Sequence, residues 1–228
     1  MQQFNVDTPY DGFIAIFNHI MSKHELFVSE DGDQSYLGET VCIHIHDPLK
    51  DHDKLIEVSC QGQQSFDYYK EQLVEGKHIK QEDPEDEAEY TYHGRLFEYE
   101  YESGEFGSTN QIEKIVQKLT KSPYSRRAVA VTWQPWNDIN AQDPPCMDIL
   151  KFSIKKGKGC LTVLFRSHDA LKAWPQNEYA ISYLLQSVCD QLGIRVGWLE
   201  IISCDPHVYI KADQDLVKAT YAKIGKHI

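Results

Sequence analysis

Residues 143–169 read DPPCMDILKFSIKKGKGCLTVLFRSHD, and this stretch sets the reading of the whole chain. Two apolar runs, 148–154 and 160–165, flank the turn formers Lys156-Gly157-Lys158-Gly159, which predicts an antiparallel hairpin. Cys146 stands just before the first strand, behind a Pro144-Pro145 corner that is stiff because each proline fixes its own φ and restricts its predecessor. Arg166 stands at the end of the second strand, on the far side of the hairpin from that cysteine. An arginine near a thiol favours the thiolate, the nucleophilic form. The stretch thus carries both a piece of sheet and a candidate nucleophile.

Working outward, the run 128–133 reads as another strand, and 177–192 as a long, mostly buried helix closed by Gly193. Strands over 194–202 and 206–210 and a helix over 213–224 follow. In the first half, Asp7-Thr8-Pro9 is a helix start, and Phe13, Ile16, Phe17 and Ile20 recur at helical spacing through 9–22. Strands are expected at 26–29 and 40–46, around the turn Glu30-Asp31-Gly32-Asp33. Helices are expected at 65–75, ended by Gly76, and from Asn110, with Ile112, Ile115, Val116 and Leu119 on one stripe. Glu82–Glu89 is a charge run with Pro84, read as a solvated loop. His44 and His46 alternate with Ile43 and Ile45 and so share a face. Without a third ligand in view, that face reads as polar strand surface and not as a metal site. The pattern is α+β: a largely antiparallel sheet with helices packed on one side, in a single domain over 1–228.

Composition narrows the classes. A chain of 228 residues that is 41% hydrophobic buries a substantial core without metal or disulfide staples. Its six cysteines form no CxxC pair, which fits reduced thiols in a cytoplasmic setting. No apolar run approaches the ~20 residues of a membrane span, and the N-terminus does not read as a signal peptide. A net charge of −12 speaks against nucleic acid as a partner, although a few converging arginines can still bind one phosphate.

Four short stretches stand in order: Ser125-Arg126-Arg127, Asp143-Pro144-Pro145-Cys146, Phe165-Arg166-Ser167-His168-Asp169 and Asp205-Pro206-His207-Val208-Tyr209. Their order and spacing resemble the thymidylate synthase family, densely from about Tyr90 to Tyr209, and the short archaeal-type branch most. Tyr90-Thr91-Tyr92-His93-Gly94-Arg95 resembles the family's Tyr-Gly motif. The resemblance implies a thymidylate synthase-like fold, a homodimer formed back to back through the sheet, and alkylation of C5 of a pyrimidine nucleoside monophosphate. The carbon donor it implies is methylene-tetrahydrofolate or methylene-tetrahydromethanopterin, with no metal.

The roles follow by position. C5 of uracil becomes nucleophilic only after something adds to C6. Cys146 would add there. Arg126, Arg127, Arg166 and Ser167 would clamp the phosphate, the first two from the partner subunit, because planar guanidinium groups bind phosphate bidentately. Asn177 would read the O4/N3 edge of the base, since an amide donates and accepts at once. Asp169 would touch base and donor, and His207 and Tyr209, on one strand face, would bind the sugar 3′-hydroxyl. Trp133, Trp136 and Trp174 are candidates to keep water off the reacting carbon. The family's catalytic glutamate has no clear counterpart, Glu71 being the nearest, and the turn 30–38 lacks the family's phosphate-binding arginine. The family's C-terminal closing tail is also missing from the sequence. Three readings stay open: a thymidylate synthase, a dUMP or dCMP hydroxymethylase of the same superfamily, and a nucleotide-binding protein without catalysis.

Overall fold

The structure is a computed structural model that describes residues 1–23, 25–29, 32–77, 90–102 and 106–225. The charge run Glu82–Glu89 lies outside the described residues, as do Glu30 and Asp31 of the expected N-terminal turn.

The predicted hairpin is present as β8 (Met147–Lys155) and β9 (Lys158–Asp169). Lys156 and Gly157 make the turn with φ of 50° and 73°, so the connection is tighter than the four residues suggest. Positive φ at both turn positions matches the right-handed twist of the strands. Met147 pairs with Phe165 and Ile149 with Leu164, which leaves Asp148 as an extra residue beside the Pro-Pro corner. A bulge of this kind re-aims the neighbouring side chains.

The sheet runs β1 (Gln2–Val6), β4 (Val41–Ile45), β10 (Arg195–Tyr209), β9, β8 and β7 (Val129–Val131). Pairing is mostly antiparallel, with β1 parallel to β4 and β9 parallel to β10. Two expected strands, 194–202 and 206–210, turn out to be the single strand β10. Pro206 does not interrupt it, because on the side away from β9 Pro206 falls between Leu199–Ser203, which pair with β4, and His207–Tyr209, which pair with Ser35–Leu37. A missing N–H there leaves no ladder bond unmade. The N-terminal strands are also rearranged. Strand β2 (Leu26–Val28) pairs with β3 (Gln34–Leu37), and β4 inserts between β1 and β10.

Helix α1 (Pro9–Lys23) and helix α7 (Ala173–Leu192) cover one face of the sheet. Ile43, Ile45, Leu161, Val163, Phe165, Leu199 and Ile201 are fully buried beneath them. Gly12 lets α1 come close: a Cβ there would lie 2.9 Å from the Trp174 ring. Trp174 itself is fully buried against Phe13, so it belongs to the core and not to a shield around substrate. Helix α7 begins at Ala173, four residues before the expected start, and ends at Gly193 with φ 64°. Helices α2 (His52–Ser59), α3 (Gln63–Glu75), α4 (Tyr92–Phe97), α5 (Gln111–Lys121), α6 (Pro135–Asp138) and α8 (Gln214–Ile224) complete the layer, with a small antiparallel pair of strands, β5 (Tyr99–Glu102) and β6 (Phe106–Thr109). On the opposite face His44 Nδ1 lies 3.4 Å from Glu200, beside His46 and Trp198. The two histidines share a face, and among the described residues no group of three potential ligands could hold a metal.

Candidate active site

The hairpin brings Cys146 and Arg166 together. Arg166 N–H donates to the Cys146 carbonyl at 2.8 Å, and the side chain curls back over the Pro-Pro corner. Its Nε donates to Pro145 O and its Nη2 to Pro144 O, each at 2.8 Å, which leaves Nη2 3.7 Å from Cys146 Sγ. The guanidinium also lies over the Trp133 ring, 5.8 Å from its centre. Trp133 therefore stands at the site, whereas Trp136 is 56% exposed on α6.

Arg166 does not win the thiol outright. Burial pushes the Cys146 thiol above its ordinary 9.0, the guanidinium opposes that, and the charges of Asp143, Asp148 and Asp169 add to the rise. The thiolate expected from the motif is thus partly suppressed, because desolvation penalises the charged form.

A tyrosine fixes the backbone at Cys146. Thr91 caps α4 by accepting from Gly94 N, which sets Tyr92 in the first turn pointing at the corner. The Tyr92 hydroxyl accepts from Cys146 N at 3.1 Å and from Met147 N at 3.0 Å. Burial foremost pushes its pKa up to about 12, so it is a neutral hydroxyl at neutral pH. Helix α4 is held by Arg95, whose buried guanidinium donates to both Asp138 oxygens, at 3.1 and 2.6 Å, and to Thr132 O.

Asn177 lies in the second turn of α7 and is 6% exposed. Its Oδ1 accepts from the Tyr69 hydroxyl and its Nδ2 lies 3.1 Å from His168 Nε2. His168 is fully enclosed, stacked on Phe165 with ring centres 3.9 Å apart, and its Nδ1 meets Ser203 Oγ at 2.9 Å. Burial, helped by the charge of His207, lowers its pKa to about 3, so the ring is neutral.

Asp169 Oδ1 accepts from Leu171 N and Lys172 N at 2.9 and 3.1 Å, and Oδ2 lies 3.8 Å from Lys172 Nζ. His207 and Tyr209 share a face of β10 with ring centres 4.8 Å apart, as the alternation predicted. Tyr209 carries the Lys172 ammonium over its ring at 5.4 Å. Ser167 is half-buried on β9 opposite Asp205. Arg126 and Arg127 are exposed in the connection between α5 and β7. A surface cleft of about 350 Å³ beside Lys70, Tyr183 and Asp190 holds none of these residues.

Glu71 is not the residue α3 turns toward the site. Tyr69 is, and Glu71 comes two residues later, about 200° around the helix. Tyr69, His168 and Ser203 were not singled out in the sequence, and neither was Asp148. A buried Asp148 oxygen has no hydrogen-bond partner among the described residues, and burial raises that carboxyl to about 6. The one signal within reach was the helical spacing of Phe66, Tyr69 and Leu73.

A profile of the family described as thymidylate synthase matches residues 23–224. The chain belongs to the thymidylate synthase family. A protein of Methanosarcina barkeri (strain Fusaro / DSM 804) named "Putative thymidylate synthase" is 34% identical over 212 residues, covering 93% of this chain and 89% of the relative. A protein of the same name from Methanocaldococcus jannaschii is 35% identical over 144 residues, 61% of this chain and 64% of the relative. Within this thymidylate synthase fold, β9 lies between β8 and β10 and packs against α7, which brings Arg166 to Cys146 and His168 to Ser203 and Asn177.

Proposed function

We propose that the protein methylates C5 of dUMP to give dTMP, with a methylene-tetrahydropterin as co-substrate. The observation that carries this reading is the Cys146 thiol held 3.7 Å from the Arg166 guanidinium at a backbone pinned by Tyr92. The Cys146 thiolate adds to C6 of the base, and electron density moves to O4 as an enolate. C5 attacks the activated one-carbon unit, its proton goes to solvent as that carbon's bond to the pterin nitrogen breaks, and hydride from the reduced pterin then adds to the exocyclic methylene as the C5–C6 double bond reforms and the thiolate is eliminated. The donor, methylene-tetrahydrofolate or methylene-tetrahydromethanopterin, supplies the carbon and, for a methyl product, the hydride.

Arg166 and Ser167 bind the phosphate. Asn177 reads the uracil edge, His207 and Tyr209 take the 3′-hydroxyl, and Asp169 Oδ2 is the acceptor offered to the donor's N–H groups. Arg126 and Arg127 complete the phosphate clamp of a second subunit, which makes the active form a homodimer with shared sites. Their exposure supports this, as does the half-buried sheet face carrying Trp198 and Ile202.

The test is to incubate the protein with dUMP or dCMP and each methylene-pterin and to weigh the products. dTMP with stoichiometric oxidised pterin is expected, and Cys146→Ala should abolish it. 5-Hydroxymethyl-dUMP as the main product, with no oxidised pterin, would instead make the protein a hydroxymethylase.

A further inference from the structure

The chain Ser203–His168–Asn177–Tyr69 runs unbroken from β10 through β9 and α7 to α3. Its members are buried or half-buried polar groups between the sheet and its helices, and only Asn177 has a role so far. An asparagine amide has two faces, one presenting oxygen and one presenting N–H, and a turn about one torsion exchanges them. Uracil needs a donor opposite O4 and an acceptor opposite N3–H. Cytosine needs the reverse, since its N4 donates and its N3 accepts. A free asparagine would therefore accommodate either base by turning over.

This asparagine is not free. His168 is a neutral imidazole with a single N–H, and its Nδ1 and Nε2 are both engaged. With Asn177 Nδ2 as donor to Nε2, the ring proton sits on Nδ1 and points at Ser203 Oγ. The Tyr69 hydroxyl then donates to Oδ1. Turning the amide over requires the imidazole to move its proton to Nε2 and takes from Tyr69 the acceptor that the structure gives its inward-pointing hydroxyl. Leaving a buried donor without a partner is unfavourable.

We propose that Tyr69 and His168 are specificity-determining positioning residues, which lock the Asn177 amide in the orientation that pairs with uracil and rejects cytosine. Neither touches the base; both act through Asn177. The inference rests on the reading of Asn177 as the base reader. It adds that discrimination resides in the hydrogen-bond chain behind the amide, not in the amide alone.

The experiment compares dUMP and dCMP binding, by calorimetry on the full-length protein, in the native chain and in Tyr69→Phe. Phenylalanine keeps the ring in its slot and removes only the hydroxyl. The native protein should favour dUMP, and Tyr69→Phe should lower the dUMP:dCMP affinity ratio by roughly 10- to 100-fold, the effect of one buried hydrogen bond. Equal loss for both nucleotides would mean a merely structural role and would overturn the proposal, as would an unchanged ratio. A second measurement needs no variant: ¹⁵N spectra of histidine-labelled protein should show His168 as the Nδ1–H tautomer between pH 5 and 8. An Nε2–H tautomer would sink the lock whatever the nucleotides do. If the native protein binds neither nucleotide, the proposed function fails, and the tautomer still reports separately on the chain of hydrogen bonds.

Discussion

Cys146 illustrates how two local effects compete at one residue. The guanidinium 3.7 Å away favours the thiolate, while burial and the neighbouring carboxylates disfavour it, and the second group prevails. In the ligand-free protein, alkylation of Cys146 by iodoacetamide should be slow at pH 7 and should accelerate as pH rises past 9.0, the ordinary thiol value. Arg166→Gln should slow it further, because it removes the one charge that lowers the thiol's pKa. Mass-spectrometric rates of modification over pH 7–10 check both statements, and a faster Arg166→Gln reaction would contradict them.

At the scale of elements, the contact between β9 and α7 matters most, because β9 delivers Arg166 to His168 and α7 delivers Asn177. The fit is tight at the turn end of the hairpin. A Cβ on Gly159 would lie 2.3 Å from Cys189 Sγ, a distance that no relaxed packing tolerates. Gly159→Ala should therefore destabilise the protein by about 1–3 kcal/mol through overpacking. Cys189→Ala removes the clashing sulfur, so the double variant should recover part of that loss in a double-mutant cycle. Urea denaturation of the four proteins measures it, and strict additivity of the two changes would count against the packing account. Asn110 offers a contrast. Its side chain accepts from Glu113 N and starts α5 as expected, because a helix cap is decided by residues three apart.

For the whole molecule, two expectations follow, one about assembly and one about acid. Arg126 and Arg127 are exposed in the connection from α5 to β7. If the active unit is a dimer with shared sites, mixing inactive Cys146→Ala with inactive Arg126→Ala subunits should restore up to about a quarter of native activity, because half the pairs are mixed and each mixed pair keeps one intact site. Full turnover by a strictly monomeric enzyme would remove that reading. The acid expectation concerns His168, whose folded pKa of about 3 lies below its ordinary 6.5. Between those values the unfolded chain binds a proton that the folded chain refuses, so stability falls as pH drops below 6.5. From pH 7 to pH 5 this contributes a loss of about 2 kcal/mol. His168→Gln should show a correspondingly shallower decline over that range, measured by denaturant unfolding at each pH.

What could be read directly from residue order was whatever neighbouring residues decide among themselves. The hairpin, the helix start at Asn110, the closure of α7 at Gly193, the apolar stripes of α1 and α5, and the ordered motifs that carry the family all have a short period or a short span. The tertiary structure decided what depends on partners far apart in the chain. It inserted β4 between β1 and β10, since parallel pairing leaves no local turn signal, and it carried β10 through Pro206 because that position happens to need no N–H. It sent Trp174 into the core and turned Tyr69 toward the site in place of Glu71. Tyr69 and Asn177 are 108 residues apart, and Ser203 and His168 are 35 apart. No periodicity links them. A buried hydrogen bond between distant side chains exists only once the apolar layers have packed and taken away the water that would otherwise have satisfied each partner alone.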